Sequence, residues 1–317
     1  MPLLPDKAAF NTAPDVHSYT VLPSAAPDEG IEGIRLRRRL LRATRAGGAW
    51  SRTRFEDGPR VQCVRVGATL VTCAWPGKRG GGGDDAVVLY AHGNGWDLGG
   101  LVRPFRPRPY DPDSPQGLLR GDASLLQHLA DCCGRQVAAF EYPGYGAGDP
   151  RDVSVDGAVR AMLAVHEWLA PRRVVFYGFS VGAAIAAEAA RRLLHKRDEP
   201  RLAGLVLQGS FASLLRTAPR GRARALAMRA LRAAGADALE TSRFVGGLPL
   251  PVAYAHGTED AVCPIERARK MAERGGNTSA TLWAPGADHN DLPAHPAFAA
   301  FVRDAVEGMM ARRRRLR

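Results

Sequence analysis

From Ala86 onward the chain alternates short apolar runs with longer segments of mixed polarity. Val87 to Ala91, Val137 to Phe140, Val174 to Tyr177, Leu202 to Leu207, Val252 to Ala255 and Thr281 to Trp283 have the length and side-chain type of strands. Between and after them, helices are expected near Asp122 to Cys133, Ser154 to Leu169, Val181 to Leu194, Ile265 to Arg274 and Phe298 to Met310. This strand-helix rhythm predicts an α/β fold, a mostly parallel sheet with helices on both faces. Such sheets bind ligands beyond the carboxyl ends of their strands, so residues just past each apolar run are the ones to inspect.

The remaining segments break the rhythm. Arg60 to Val66 and Ala68 to Trp75 surround Gly67 and read as a hairpin or two successive strands, with Gly80 to Gly83 as a flexible loop. Residues 1–32 are rich in Pro, Ala and Asp and are expected to form an extended or poorly ordered leader. Residues 33–317 are then expected to form one domain, because 317 residues with 45% hydrophobic content suit a single large α/β core. Two excursions interrupt it. Residues 101–120 carry too many prolines for a strand or helix and read as a surface insertion, whereas residues 210–247 hold an Ala/Arg-rich helical stretch between two core strands, where a small cap or lid would sit.

Charge changes this picture only in part. The net charge is +12, but the 44 basic residues include only Lys7, Lys78, Lys196 and Lys270 as lysines, a bias that points to genome composition as much as to function. What remains is clustering: Arg35, Arg37, Arg38, Arg39, Arg42 and Arg45; Arg216, Arg220, Arg222 and Arg224; and Arg312 to Arg315 with Arg317. Solvated faces account for such clusters, and peripheral attraction to an anionic membrane surface is the sharper reading, at about 1 kcal/mol per base near the headgroups. Nucleic acid is disfavoured because no binding module or interleaved aromatics accompany the arginines. Cys63, Cys73, Cys132, Cys133 and Cys263 form no Cys-x-x-Cys pair and no zinc spacing, which favours a reducing compartment and no metal site. Residues 1–7 lack the apolar core of a signal peptide, and no window approaches a membrane span, so a cytoplasmic chain, at most peripheral on a membrane, is expected.

The candidate chemistry lies at the strand ends. Gly178-Phe179-Ser180-Val181-Gly182 falls where the run ending at Tyr177 meets the helix beginning near Val181, which is the context of a nucleophile elbow. Small flanks are needed there because the serine backbone is strained and a Cβ would crowd the turn. A serine hydroxyl also needs a base to take its proton and a carboxylate to fix that base's tautomer. Asp260 follows the strand Val252 to Ala255, and His289 follows Thr281 to Trp283, so Ser180, Asp260 and His289 should meet at one sheet edge. Glu259 and Asp288 compete for the acid role, but Asp288 abuts His289 and would struggle to reach its Nδ1. His256 reads as a hydrogen-bonded structural histidine. For the oxyanion, the N–H of Val181 is one expected donor. The other would come from the loop His92-Gly93-Asn94-Gly95-Trp96-Asp97-Leu98-Gly99, with Asn94 favoured over Gly95 and His92 read as structural. No metal or organic cofactor is required by this chemistry.

These residues carry a resemblance. His92-Gly93-Asn94 with Asp97-Leu98-Gly99, Tyr142-Pro143-Gly144-Tyr145-Gly146, the elbow, His256-Gly257-Thr258-Glu259-Asp260 and Gly286-Ala287-Asp288-His289-Asn290-Asp291 resemble the alpha/beta hydrolase domain-containing protein 17 family. The resemblance spans roughly residues 86 to 310 and implies an α/β-hydrolase fold with Ser180 as nucleophile, Asp260 as acid and His289 as base. It further implies a serine hydrolase that removes palmitate from protein cysteines at the cytosolic face of membranes. The family's N-terminal cysteine cluster has no counterpart here, since the first cysteine is Cys63. A small-ester carboxylesterase or serine peptidase of the same fold, and a non-catalytic protein binding a membrane or partner through its basic surface, are the alternatives.

Overall fold

The computed structural model describes residues 19–22, 33–36, 39–41, 45–46, 49–50, 61–76, 86–94, 96–101, 124–146, 148, 150–196, 199–213 and 239–314. Residues 102–120 of the expected insertion, 214–238 of the expected excursion and most of the leader lie outside them, as do the side chains of the three arginine clusters. Tyr19–Leu22 is a strand paired antiparallel with Gly33–Leu36, which in turn pairs with Arg39–Leu41.

The centre is a sheet of 8 strands. In chain order these are β1 (Val61–Val66), β2 (Thr69–Ala74), β3 (Ala86–Ala91), β4 (Gln136–Phe140), β5 (Arg173–Phe179), β6 (Leu202–Gln208), β7 (Val252–Gly257) and β8 (Thr278–Ala284). Their spatial order is β1-β2-β4-β3-β5-β6-β7-β8. The hairpin β1–β2 is antiparallel and β2 meets β4 antiparallel; every pairing from β4 through β8 is parallel. The helices are α1 (Leu98–Leu101), α2 (Leu125–Cys133), α3 (Val155–Trp168), α4 (Val181–Lys196), α5 (Thr241–Val245), α6 (Ile265–Arg274) and α7 (Phe298–Arg314).

Two apolar clusters sandwich the sheet, and strand alternation assigns residues to them. On β5, Val174 and Phe176 enter the cluster beneath α3, α4, α5 and α6, while Val175 and Tyr177 enter the one beneath α1, α2 and α7. Burial on both faces is why these strands read as continuous apolar runs instead of alternating ones. Capping follows the sequence: Ser124 and Ser154 start α2 and α3, each accepting a hydrogen bond from the backbone N–H three residues on.

Among the boundaries that differ from the sequence reading, two have a plain physical cause. β8 begins at Thr278, not Thr281, because an edge strand pairs through its backbone while its side chains stay half-exposed and carry no apolar signal. Helix α7 runs past Met310 to Arg314, since arginine is a good helix former and no Gly or Pro stops it.

Candidate active site

β5 ends at Phe179 and α4 begins at Val181, leaving Ser180 alone to turn the chain. It does so with φ 55°, among the described residues the one left-handed conformation at a residue other than glycine. Such a conformation costs about 1–3 kcal/mol and persists only where the surroundings enforce it. They do so sterically. A Cβ at Gly178 would lie 2.3 Å from the carbonyl oxygen of Gly182, and one at Gly182 would lie 2.1 Å from that of Ala91 on β3. Helix α4 therefore packs directly on the sheet. The Ser180 N–H is fixed by the Gln208 carbonyl at 2.9 Å, and Ser180 C=O accepts from Ala183 at 3.0 Å, so the elbow is tied to β6 and to the first turn of α4.

Parallel neighbours β6, β7 and β8 bring the partners to the same edge. His289 Nε2 lies 3.1 Å from Ser180 Oγ, and His289 Nδ1 lies 2.7 Å from Asp260 Oδ2. An ionised carboxylate only accepts, so Nδ1 carries the hydrogen and Nε2 presents its lone pair to the hydroxyl. Asp260 is buried, which alone would raise its pKa. Hydrogen bonds from His256 and His289, and from the backbone N–H of Cys263, outweigh the burial and hold the carboxyl well below the usual range. The remaining oxygen, Oδ1, accepts from the N–H groups of Val262 at 2.9 Å and Cys263 at 2.7 Å.

The competing acids take other roles. Glu259 is exposed. Asp288 turns its Oδ1 back onto the N–H groups of Asn290 at 2.6 Å and Asp291 at 2.9 Å, and Asp291 Oδ1 accepts from Asp288 N at 2.7 Å. This reciprocal turn shapes the loop that presents His289. His256 is more than a buried structural histidine. Its Nε2 lies 2.6 Å from the Cys263 carbonyl and 3.1 Å from Asp260 Oδ2. Because a carbonyl only accepts, Nε2 bears the hydrogen and is shared between the two oxygens. His256 thus staples both ends of the turn 260–263.

On the opposite side, the loop after β3 passes close to the serine. A Cβ at Gly93 would lie 2.8 Å from the Phe179 ring and 3.7 Å from the Ser180 Cβ. Val181, which opens α4, offers one of the helix's orphan N–H donors. Asn94 follows Gly93 on that loop; Gly95 is outside the described residues. The loop is braced from the segment after β4. Tyr142 Oη donates to the His92 carbonyl at 2.7 Å, Tyr145 Oη donates to Asn94 Oδ1 at 2.5 Å, and Glu141 Oε2 accepts from Leu98 N at 3.3 Å. His92 is fully buried, stacks on Tyr142 at 3.9 Å and sits 3.6 Å from Glu141 Oε1. Burial first, and nearby acidic groups second, push both tyrosine hydroxyls far above their ordinary pKa, so they stay donors. Residue types alone do not reveal these braces, although the Tyr142-Pro143-Gly144-Tyr145 string that supplies them stands out in the sequence.

Among the described residues, Asp260, Cys263 and His289 place possible ligand atoms within 4.8 Å of one another, close enough to hold a metal. Yet Asp260 and His289 already use these atoms in the chain of hydrogen bonds to Ser180, and burial, with the Asp260 charge, pushes the Cys263 thiol up and keeps it protonated. The donor set is better matched to moving a proton. Chemically, a hydroxyl next to an imidazole lone pair, itself anchored by a carboxylate, is competent for nucleophilic attack on an acyl carbonyl.

Comparison with known proteins bears on the fold that carries this site. Residues 117–246 match the alpha/beta hydrolase fold family. The chain is 26% identical over 226 residues to alpha/beta hydrolase domain-containing protein aho-3 of Caenorhabditis elegans, covering 70% of this chain and 57% of that protein. It is 25% identical over 248 residues to human alpha/beta hydrolase domain-containing protein 17C, covering 76% and 62%. The chain therefore spans about three fifths of the length of these relatives. Among solved structures, a membrane phospholipase A described as a bacterial virulence factor superposes with TM-score 0.52 at 16% identity, covering 80% of this chain and 87% of that one. A hormone-sensitive lipase from a metagenome library gives 0.51 at 17%, covering 82% and 88%. The fold is that of the α/β hydrolases, and the resemblance read from the motifs is borne out in the relatives that the sequence matches.

Proposed function

We propose that this protein is a serine hydrolase that cleaves acyl thioesters or esters through an acyl-enzyme. The observation that carries the reading is the hydrogen-bond chain from Ser180 Oγ through His289 to Asp260, at 3.1 and 2.7 Å, on a strained elbow. In the proposed reaction His289 Nε2 takes the Ser180 proton as Oγ attacks the acyl carbonyl. Asp260 stabilises the imidazolium, and the N–H groups of Val181 and Asn94 hold the tetrahedral oxyanion. The leaving group takes up the imidazolium proton as it departs, leaving as a thiol or an alcohol and returning His289 to its neutral form. A thiolate, with a pKa near about 8.5, needs less help from the imidazolium than an alkoxide does. Water, deprotonated by the same imidazole, then attacks the acyl-enzyme and releases the carboxylic acid and free Ser180.

Protein-bound palmitoyl-cysteine is the substrate we favour, on the resemblance of the chain's motifs to the domain-containing protein 17 family and its similarity to relatives of that name. A small-ester carboxylesterase or serine peptidase would use the same residues. We place the enzyme in the cytoplasm, reaching membranes peripherally through its arginine clusters; no helix among the described residues is long and apolar enough to cross a membrane. Labelling by a fluorophosphonate probe tests the chemistry: the wild type is expected to label, and Ser180→Ala and His289→Ala to lose labelling. Labelling that persisted in folded Ser180→Ala protein would overturn it. Substrate class is tested separately by turnover of acyl-thioesters of increasing length. Depalmitoylation requires a gain toward long chains.

A further inference from the structure

Several neighbouring arginines among the described residues are matched by carboxylates. Arg191 and Arg192 both close on Glu188, at 2.7 Å each, and Arg192 also reaches Asp156. Arg201 bridges Glu199 at 3.0 Å and Glu167 at 2.8 Å. A second group of cations is not matched in this way. Between α5 and α6 lies a cavity of about 360 Å³, lined by Arg243, Arg267, Lys270 and Arg274 together with a single carboxylate, Glu240. Arg267, Lys270, Met271 and Arg274 recur at the spacing that puts them on one face of α6, and Arg243 comes from α5. Among the described residues, none of the four cations makes an ion pair. Buried Val245 and Met271 form an apolar floor, and Ser242 adds a hydroxyl.

We propose that this cavity is a binding site for a phosphate-bearing anion. Four cations less one carboxylate leave three net positive charges around one hollow. Like charges held together repel, and an occupant carrying more than one negative charge would turn that repulsion into attraction. Guanidinium groups suit phosphate in particular, because their planar donors pair bidentately with its oxygens. The apolar floor accommodates the organic part of a phosphate ester. Two sources share this chemistry: a soluble phosphate ester, and the headgroup of an anionic phospholipid. The site is independent of the acyl-transfer reading, sharing none of Ser180, Asp260 or His289.

The test uses the full chain and two probes, inorganic pyrophosphate followed by calorimetry, and phosphatidylcholine vesicles with and without phosphatidic acid followed by co-sedimentation. The variant Arg267→Gln with Lys270→Gln removes two cavity cations. The control Arg269→Gln with Arg303→Gln removes as many charges from outside the cavity, Arg269 lying over the Trp283 ring instead. Each cavity cation removed is expected to weaken binding about fivefold, while the control stays near the wild type. Binding of pyrophosphate supports a soluble ester, and binding confined to phosphatidic-acid vesicles supports a headgroup. Equal loss in cavity variant and control would reduce the effect to overall charge and overturn the site, as would no binding of either probe. Circular dichroism and a melting curve on each variant keep misfolding from passing as loss of binding.

Discussion

Ser180 and Asp260 stand at the ends of strands that share the neighbour β6, yet they are held in place by opposite means. The serine is held by exclusion: Gly178 and Gly182 leave no room for a Cβ, helix α4 presses onto β3, and the backbone is forced to φ 55°. The aspartate is held by saturation. Its two oxygens accept from Val262 N, Cys263 N, His289 Nδ1 and His256 Nε2, so every direction is occupied by a donor. Packing fixes position but leaves the hydroxyl free to react; hydrogen bonding fixes charge as well as position. The nucleophile needs the first, and a permanent carboxylate needs the second.

The comparison can be broken most violently at the nucleophile itself. Ser180→Ala keeps the elbow's sterics and should lower kcat/KM for an activated ester by at least about 10⁴-fold with the melting temperature almost unchanged. Equal activity would remove the elbow from the chemistry. Gly182→Ala attacks the sterics instead. With the new methyl only 2.1 Å from a backbone oxygen, no side chain can yield, so a loss of about 3 kcal/mol in denaturant unfolding is expected. Stability close to wild type would mean that exclusion is not what holds Ser180.

On the aspartate side the expected signature is electrostatic. His256→Ala removes one donor to Asp260 and should lower kcat by roughly tenfold to a hundredfold, with KM preserved, the range for losing a hydrogen bond to a charged group. Asn at this position, retaining a donor, should recover part of that loss. Asp260→Asn tests the charge through stability. A carboxyl whose folded pKa lies below its unfolded value stabilises the fold at pH above the unfolded value, near about 3.9, and that contribution is lost as pH falls through the lower folded value. Wild type should therefore exceed the Asn variant at neutral pH, and the gap should close only below about pH 4. A gap independent of pH would show that shape, not charge, matters there.

The two modes of restraint also explain what was legible in the chain. Exclusion leaves a written trace, since only glycine fits at 178 and 182, and the apolar run before them marks the strand. Saturation leaves little trace. Half of the donors to Asp260 are backbone N–H groups, which every residue type but proline supplies, so the sequence could order Ser180, Asp260 and His289 without revealing how firmly Asp260 is held. His256 was read as a hydrogen-bonded structural residue; its second acceptor is the Asp260 carboxylate, a contact set by the turn's geometry and invisible in residue types. The strand limits show the same asymmetry. β5, buried on both faces, announced itself, whereas the first residues of edge strand β8 pair by backbone alone.

The loop after β3 lies between these extremes and offers the finest probe. Gly93 approaches the Phe179 ring by exclusion, while Asn94 is tethered by the Tyr145 hydroxyl at 2.5 Å. Tyr145→Phe keeps the ring, its edge contact with Tyr142 and the burial, and deletes only the donor to Asn94 Oδ1. If the tether sets the direction of the loop's N–H groups, kcat should fall by up to about tenfold, KM should hold, and stability should change by no more than about 1 kcal/mol, the worth of one neutral hydrogen bond. The fall should be shared by Tyr145→Phe with Asn94→Ala, because both changes sever the same bond, making the double variant no worse than the poorer single one. Additive losses would mean that Asn94 and Tyr145 act separately, and that packing at Gly93 alone aligns the loop with the nucleophile.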